Sequence, residues 1–445
     1  MQVLDKVTGA NLKTFTMESL TTASPCRNGF CDPGVIYDRV ADRWLISELP
    51  SSGGSVCVYI STSPDPTGTY YAYSFGIEGS LPDYPKYGVW PQGGNGGSYL
   101  IGVNAGSGGH RDLVALDRAK MLAGQPASFQ KFSVPDLPNS GFQLVLPGTQ
   151  QGNTPPPDGE PAIFMRPHDD EAQEGVSTPG YDLMDMWALA VDWATPANST
   201  LTTLTPPHIA DYDMTMCGLG GIWNCMPQPG TSQKIDPIRE PIHFPLQYRN
   251  FGDHQTLVGT FVEDVDGTDH AALRWFEFRK TGVGGWTVFQ EGVVGGEAGV
   301  HRSVASIAMD GSGNIALGYT RTGTTAPFYP SIYYKGRLST DPPGTMPQGE
   351  YPIMDATTSK TNNERWGDYS GMGVDPVDDC TFWFTTEYGG SGNTRVAAFR
   401  FDQCGCAVVP AAPAAAASAP SANRIDVSWN DSPAPSIVQY MVYPF

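Results

Sequence analysis

The sequence predicts an all-β fold: a β-propeller of six or seven blades, with seven preferred. Three observations carry this. First, similar segments of short strands recur: DPGVIYDRVADRWLISEL from Asp32, HRSVASIAMDGSGNIALGYT from His301 and GDYSGMGVDPVDDCTFWFTTEY from Gly367. Looser copies start at Tyr84 and Phe251, and the spacing is 51 residues from Asp32 to Asp83 and 48 from Asp253 to His301. A period near 50 made of short strands is what one small sheet per repeat produces. Second, 52 Gly and 39 Pro accompany 10 Trp, 20 Tyr and 19 Phe, which is turn-rich β composition rather than disorder. Third, helical periodicity is nearly missing, and DRAKMLAG (117–124) is the best short helical turn.

Taken in order, residues 1–25 read as one or two strands of an incomplete blade. Residues 26–80 form a fuller blade with GVIYDR, RWLISEL, SVCVYIST and YYAYSF, and residues 81–140 the next, with YGVWPQ, SYLIGVN, LVALDR and FQKFSV. Residues 141–245 are the least regular: IFMRP and MWALAVDW look like strands among long Pro-, Asp- and Gly-rich insertions. Blades follow at 246–300, 301–360 and 365–402, the last with three strands. A three-stranded end and a partial start point to a closing blade that combines both termini and so covers exposed edges. The propeller is expected over 1–404, an Ala/Pro-rich linker over 405–422, and a separate truncated segment over 423–445.

A formal net charge of −20 repels phosphate backbones, which argues against nucleic acid as a partner. Surplus carboxylate favours a hard divalent cation, although an acidic solvated surface accounts for the charge as well. Eight Cys without a C-x-x-C pattern point to disulfides and an oxidising compartment; Cys217 and Cys225 read as a loop staple and Cys380 and Cys404 as candidates to pair, while the connectivity does not follow from sequence. No apolar run is long enough to span a membrane. The first residues, MQVLDKVTG, lack the pattern of a signal peptide, so an upstream segment is expected.

RWGDYSGMGVDPVDDCTFWFTTEY, preceded by SIAMDGSGNIALGYT and YRNFGDHQTLVGT, resembles a family of secreted bacterial β-propeller proteins of sialidase-like fold that are followed by fibronectin type III modules. RIDVSWNDSPAPSIVQYMVY resembles the first strands of such a module, with Trp429 as its core Trp. The resemblance implies the fold and export to the outside of a bacterial cell; it implies no reaction. The F-R-I-P motif and S-x-D-x-G-x-T-W turns of true sialidases do not occur.

A propeller gathers the opening residues of its blades around one axis. The expected openers are Asp32, Asp83 with Tyr84, Asp253 with His254, His301 with Arg302, and Arg365, Trp366, Asp368 and Tyr369. Carboxylates on one axis repel unless a cation compensates. This makes Asp32, Asp83, Asp253 and Asp368 candidate ligands of one calcium ion, while Asp residues also cap turns. His254 or His301 would deprotonate a water beside that ion, and Arg302 would bind the substrate carbonyl. Tyr84, Arg365, Trp366 and Tyr369 are candidate substrate-binding residues. DVDGTDH (264–270) misses the EF-hand spacing and reads as a turn. The order of preference is a secreted calcium-dependent hydrolase of a lactone or ester, then a glycan-active propeller (hydrolase or lectin), then a non-catalytic adhesion protein. The chain is expected to be a monomer that meets a small molecule or glycan.

Overall fold

A computed structural model describes residues 1–404 apart from 52, 93–95, 177–179, 181, 219–222 and 391, and beyond these only the strands at 415–421, 424–429 and 439–440. The described residues are all-β, with two short α-helices and two single 3-10 turns. One of the α-helices, Arg118–Leu122, lies where a helical turn is expected and is capped by the Asp117 side chain, which accepts from Lys120 N. The other is Asp170–Glu174, capped by Asp169.

Among the described residues, six antiparallel meanders follow one another. The first comprises Gly29–Asp38, Arg43–Pro50, Gly54–Ser61 and Tyr70–Glu78. The second comprises Lys86–Trp90, Ser98–Gly102, His110–Asp117 and Phe129–Pro135. The third runs through Leu146–Gln151, Ala162–His168, Leu183–Ala190 and Thr200–Thr203. The fourth has Leu246–Asn250, Gln255–Asp264, Ala271–Lys280 and Thr287–Val294. The fifth has Val300–Met309, Ile315–Gly323, Ser331–Arg337 and Glu350–Met354. The sixth has three strands, Gly371–Val374, Phe382–Glu387 and Thr394–Phe399.

The first strand of every meander lies beside the first strand of the next, from the first sheet to the sixth. In the third and fourth sheets these strands pair in parallel, Gly148 with Leu246 and Gln151 with Arg249, so the two meanders merge into one curled eight-stranded sheet. The inner strands therefore run side by side in a propeller-like arrangement, with the sheets radiating outward.

Middle strands such as Gly54–Ser61 read as unbroken apolar runs because both faces are covered. Side chains alternate along a strand. Val56, Val58 and Ile60 pack on Tyr99 and Val114 of the second sheet, while Cys57 and Tyr59 pack on Val3 and Met17. Residues at the N-terminus thus cover the free face of the first sheet, through a hairpin of Gln2–Asp5 and Asn11–Thr14. Outer strands are polar on alternate positions, as in Phe129–Pro135.

The inner strands share a signal: Pro33–Gly34, Pro85 three residues before Gly88, and Pro147–Gly148. Proline is tolerated because each inner strand is the edge of its own meander, and Pro147 lies just before the parallel pairing that begins at Gly148. Glycine is required by close approach. A Cβ on Gly88 would stand 2.6 Å from the Gly148 carbonyl oxygen, and one on Gly34 would meet Ser47 Oγ at 2.7 Å.

Among the described residues, disulfides join Cys26 to Cys57, Cys217 to Cys225 and Cys380 to Cys404, which fits an oxidising compartment. Among the described residues, no helix is long and apolar enough to cross a membrane. Part of the expected linker, Ala415–Ser421, is a strand paired with Arg424–Trp429. The fibronectin-like reading of 423–445 otherwise lies outside the described residues.

Replacing Gly88 by Ala should lower stability by about 1–3 kcal/mol in a denaturant melt, through overpacking against backbone. Gly285→Ala, where a Cβ meets nothing within 4 Å, should change it by less than about 0.5 kcal/mol. Equal effects of the two would refute close packing of the inner strands.

Candidate functional site

The inner strands begin at one end of the molecule, the leading end, and here the backbone is strained. Asp32 (φ 55°), Tyr84 (φ 53°), Ile238 (φ 53°), Glu240 (φ 81°) and Val304 (φ 48°) are non-glycine residues with positive φ, and two of them are β-branched. Each such residue costs roughly 1–3 kcal/mol and persists only where its surroundings hold it.

Lys86 stands at the centre of this region. Its Nζ donates to the Asp368 carbonyl oxygen at 2.6 Å and lies 3.8 Å from the ring centroids of both Tyr84 and Tyr369. Burial pulls its pKa down to about 7, against the opposing pull of Asp368, Asp32 and Asp83. Asp32 Oδ2 accepts from Tyr84 N at 3.2 Å, and Asp83 Oδ2 from Asn104 Nδ2 at 3.1 Å. The half-exposed guanidinium of Arg365 pairs with Asp368 and lies 4.0 Å from Asp236 Oδ2. Burial raises the Asp368 carboxyl above its ordinary range and pushes Asp236 up to about 7. Burial likewise raises Glu387, which accepts from Gly367 N at 3.1 Å.

A row of rings crosses the same end. Trp223 to Phe142 is 5.6 Å between centroids, Phe142 to Tyr84 is 4.9 Å, and Tyr84 to Tyr369 is 5.8 Å. From Lys86 and Tyr369 a cleft of about 210 Å³ extends between the inner strands of the first and sixth sheets, walled by Val35, Tyr37, Met372 and Trp383.

Of the expected residues, the structure brings together Asp32, Asp83, Tyr84, Arg365, Asp368 and Tyr369. Asp253 and His254 are a correction. The fourth sheet begins at Leu246, so both fall in the turn after its inner strand, at the opposite, trailing end. There Asp253 is 83% exposed and bonds His254 Nδ1 at 2.7 Å. His301 sits at the rim, its ring 5.1 Å from that of His270 and its Nδ1 accepting from Ala271 N, and burial pushes its pKa down to about 4. Arg302 is spent on Glu350 at 2.8 Å and on Glu297. Trp366 is fully buried and donates Nε1–H to Thr320, so it is core rather than pocket wall.

Among the described residues, Asp32, Asp83, Asp253 and Asp368 do not bring three carboxylate oxygens within 4.8 Å of one another, as the expected calcium site would. Lys86 and Arg365 supply the compensating positive charge. Among the described residues, the acidic group whose oxygens come within 4.8 Å of one another is Asp169, Glu171 and Asp182, away from the axis. Sequence reading missed Lys86, Asp236, Glu387 and Trp223. For Lys86 a signal exists: it is the lone Lys inside the aromatic run YPKYGVW. Asp236 and Trp223 come from the long excursion between the third and fourth sheets, which has no repeat to align them. His243 escaped too. It is buried and neutral, donates to the Ile238 carbonyl at 2.8 Å and accepts from Ala305 N, and so braces the strained loop.

No protein-family model and no curated protein sequence matches the chain. Among solved structures, an α-L-arabinanase of Penicillium chrysogenum complexed with arabinobiose is 9% identical, with 83% of this chain and 94% of that chain covered and a TM-score of 0.34. An α-L-arabinofuranosidase from Fusarium graminearum with an iminosugar inhibitor is 10% identical, with the same coverage and TM-score. An oligogalacturonate lyase in complex with manganese is 12% identical, covering 91% of this chain and 96% of that one at a TM-score of 0.32. Likeness at this level assigns no activity to the chain.

Asp236 has a pH consequence. Its folded pKa of about 7 stands above the ordinary 3.8, so the folded state keeps a proton that the unfolded state releases. Its contribution is therefore lost as pH rises from about 4 to about 7. Asp236→Asn keeps an acceptor for Ile238 N and removes this loss. Its melting temperature should exceed that of the parent at pH 8 and match it near pH 3.5; the same difference at both pH values would discard the assignment.

Proposed function

We propose that the chain is a six-bladed propeller over 1–404, with residues 1–26 standing where a seventh blade would lie, and that its leading end acts on a carbohydrate as a glycoside hydrolase. One observation carries the reading. A row of aromatic rings runs alongside several carboxylates, two of which, Asp236 and Asp368, are held toward their protonated forms and share one guanidinium.

Cleavage of a glycosidic bond needs a carboxylic acid to protonate the leaving oxygen and a second carboxylate on the other side of the sugar. Asp368 is the acid in this reading: its side chain is 17% exposed, against 5% for Asp236, so a sugar oxygen reaches it first. Asp32, which accepts from Tyr84 N and acts directly on the Tyr369 hydroxyl, is the base in this reading. Asp236 and Arg365 position Asp368 and tune its proton affinity. Trp223 and Tyr369, both half-buried, offer ring faces to the sugar. The alternative of calcium-assisted attack on an ester or lactone loses its base, because His254 and His301 both lie elsewhere.

A panel of nitrophenyl glycosides and a glycan array test the proposal. Turnover of at least one glycoside is expected, and Asp368→Asn should cut kcat by about 100-fold or more with little change in KM. Trp223→Ala should mainly raise KM. Binding without turnover would leave a lectin in place of a hydrolase; silence on both panels would sink the carbohydrate reading altogether.

A further inference from the structure

A second acidic group lies on the rim of the leading end, between the third and fourth sheets. Asp169, Glu171 and Asp182 each present an oxygen, and these oxygens lie within 4.8 Å of one another. Ligands on opposite sides of a calcium ion stand about 4.8 Å apart, because each is about 2.4 Å from the metal. Asp211, Asp213 and Glu263 add to the wall of the adjoining cleft, where the cation is Arg274. That guanidinium is already engaged by Glu263 at 2.8 Å and Glu291 at 3.0 Å.

The two buried carboxylates are held rigidly. Asp169 accepts from Ala172 N at 2.8 Å and Met214 N at 2.9 Å; Asp182 accepts from Asp170 N at 2.9 Å and Tyr212 N at 2.8 Å. A carboxylate has about four acceptor positions, so these bonds leave one on each oxygen for a cation. The independent sign of a ligand is Tyr212. It lines the cleft and is 7% exposed, yet its hydroxyl has no hydrogen-bond partner among the described residues. The charges acting most on that hydroxyl are those of Asp169 and Asp182. A buried polar group without a partner costs about 1–3 kcal/mol, and water on a hydrated ion at the triad would supply the missing partner.

We infer that Asp169, Glu171 and Asp182 form a divalent-cation site, of the hard oxygen-donor kind that calcium occupies, remote from the axial group. The ion joins the start of the Asp170–Glu174 helix to Asp182. The site is independent of the carbohydrate reading, and its test reads metal alone.

Protein stripped with EDTA and exchanged into metal-free buffer is titrated calorimetrically with calcium, magnesium and manganese chlorides, and melted with and without each. Calcium binding at about one site per chain, with a dissociation constant between about 10⁻⁷ and 10⁻³ M, and a rise in melting temperature are expected. Glu171→Gln, at an exposed side chain, should weaken binding by about tenfold or more. Asp182→Asn should abolish binding, and Asp32→Asn at the axis should leave the affinity as it is. No heat and no thermal shift at about 10 mM calcium overturns the site. So does an affinity that Glu171→Gln leaves untouched or that Asp32→Asn removes.

Discussion

The molecule depends on the compensation of like charges where its inner strands begin. Bringing Asp32, Asp83 and Asp368 to one end of a shared axis is unfavourable unless positive charge comes with them. Lys86 provides it from inside the second sheet, between two tyrosine rings and bonded to the backbone of the sixth. The arrangement costs something on both sides. Burial makes the ammonium easier to deprotonate and raises Asp368, so neither partner is held as strongly charged as it would be in water. A site balanced in this way has protons available near neutrality, which acid–base chemistry requires.

Strain adds a second constraint at the same place. Positive φ at Ile238 and Val304 is unfavourable for branched side chains, and it occurs beside His243, which bonds to both of these short stretches. Asp32 and Val304 sit inside inner strands, at breaks in their pairing with the next strand, so the distortion falls within the strands that line the axis.

Much of this could be read in the chain. Repetition exposed the meanders, and the apolar runs of strands buried on both faces gave nearly all of their positions. Asp32, Asp83, Tyr84, Arg365, Asp368 and Tyr369 were legible as neighbours because each precedes or opens an inner strand. Asp253 misled because YRNFGDHQ looks like an opener, whereas LQYRN is the inner strand and the Asp belongs to the following turn. Lys86 was hidden by the habit of treating a lysine as surface. Asp236, Trp223 and the Asp169–Asp182 pair come from excursions without periodicity, so nothing in the one-dimensional pattern aligns them in space.

At the trailing end, Asp379 of the sixth sheet is held by Arg249 at 2.6 Å and by Arg39 at 2.9 Å, the latter across 340 residues of chain. This clamp has a consequence for biosynthesis. During translation the first sheet emerges long before the acid that will secure it, so Arg39 must wait until almost the whole ring has been made. Contacts that span so much sequence form slowly, and the unfinished ring keeps an open flank in the meantime. The hairpin at residues 2–14 lies on the free face of the first sheet, so that face is covered by contacts close in sequence while the clamp on Asp379 is among the most distant.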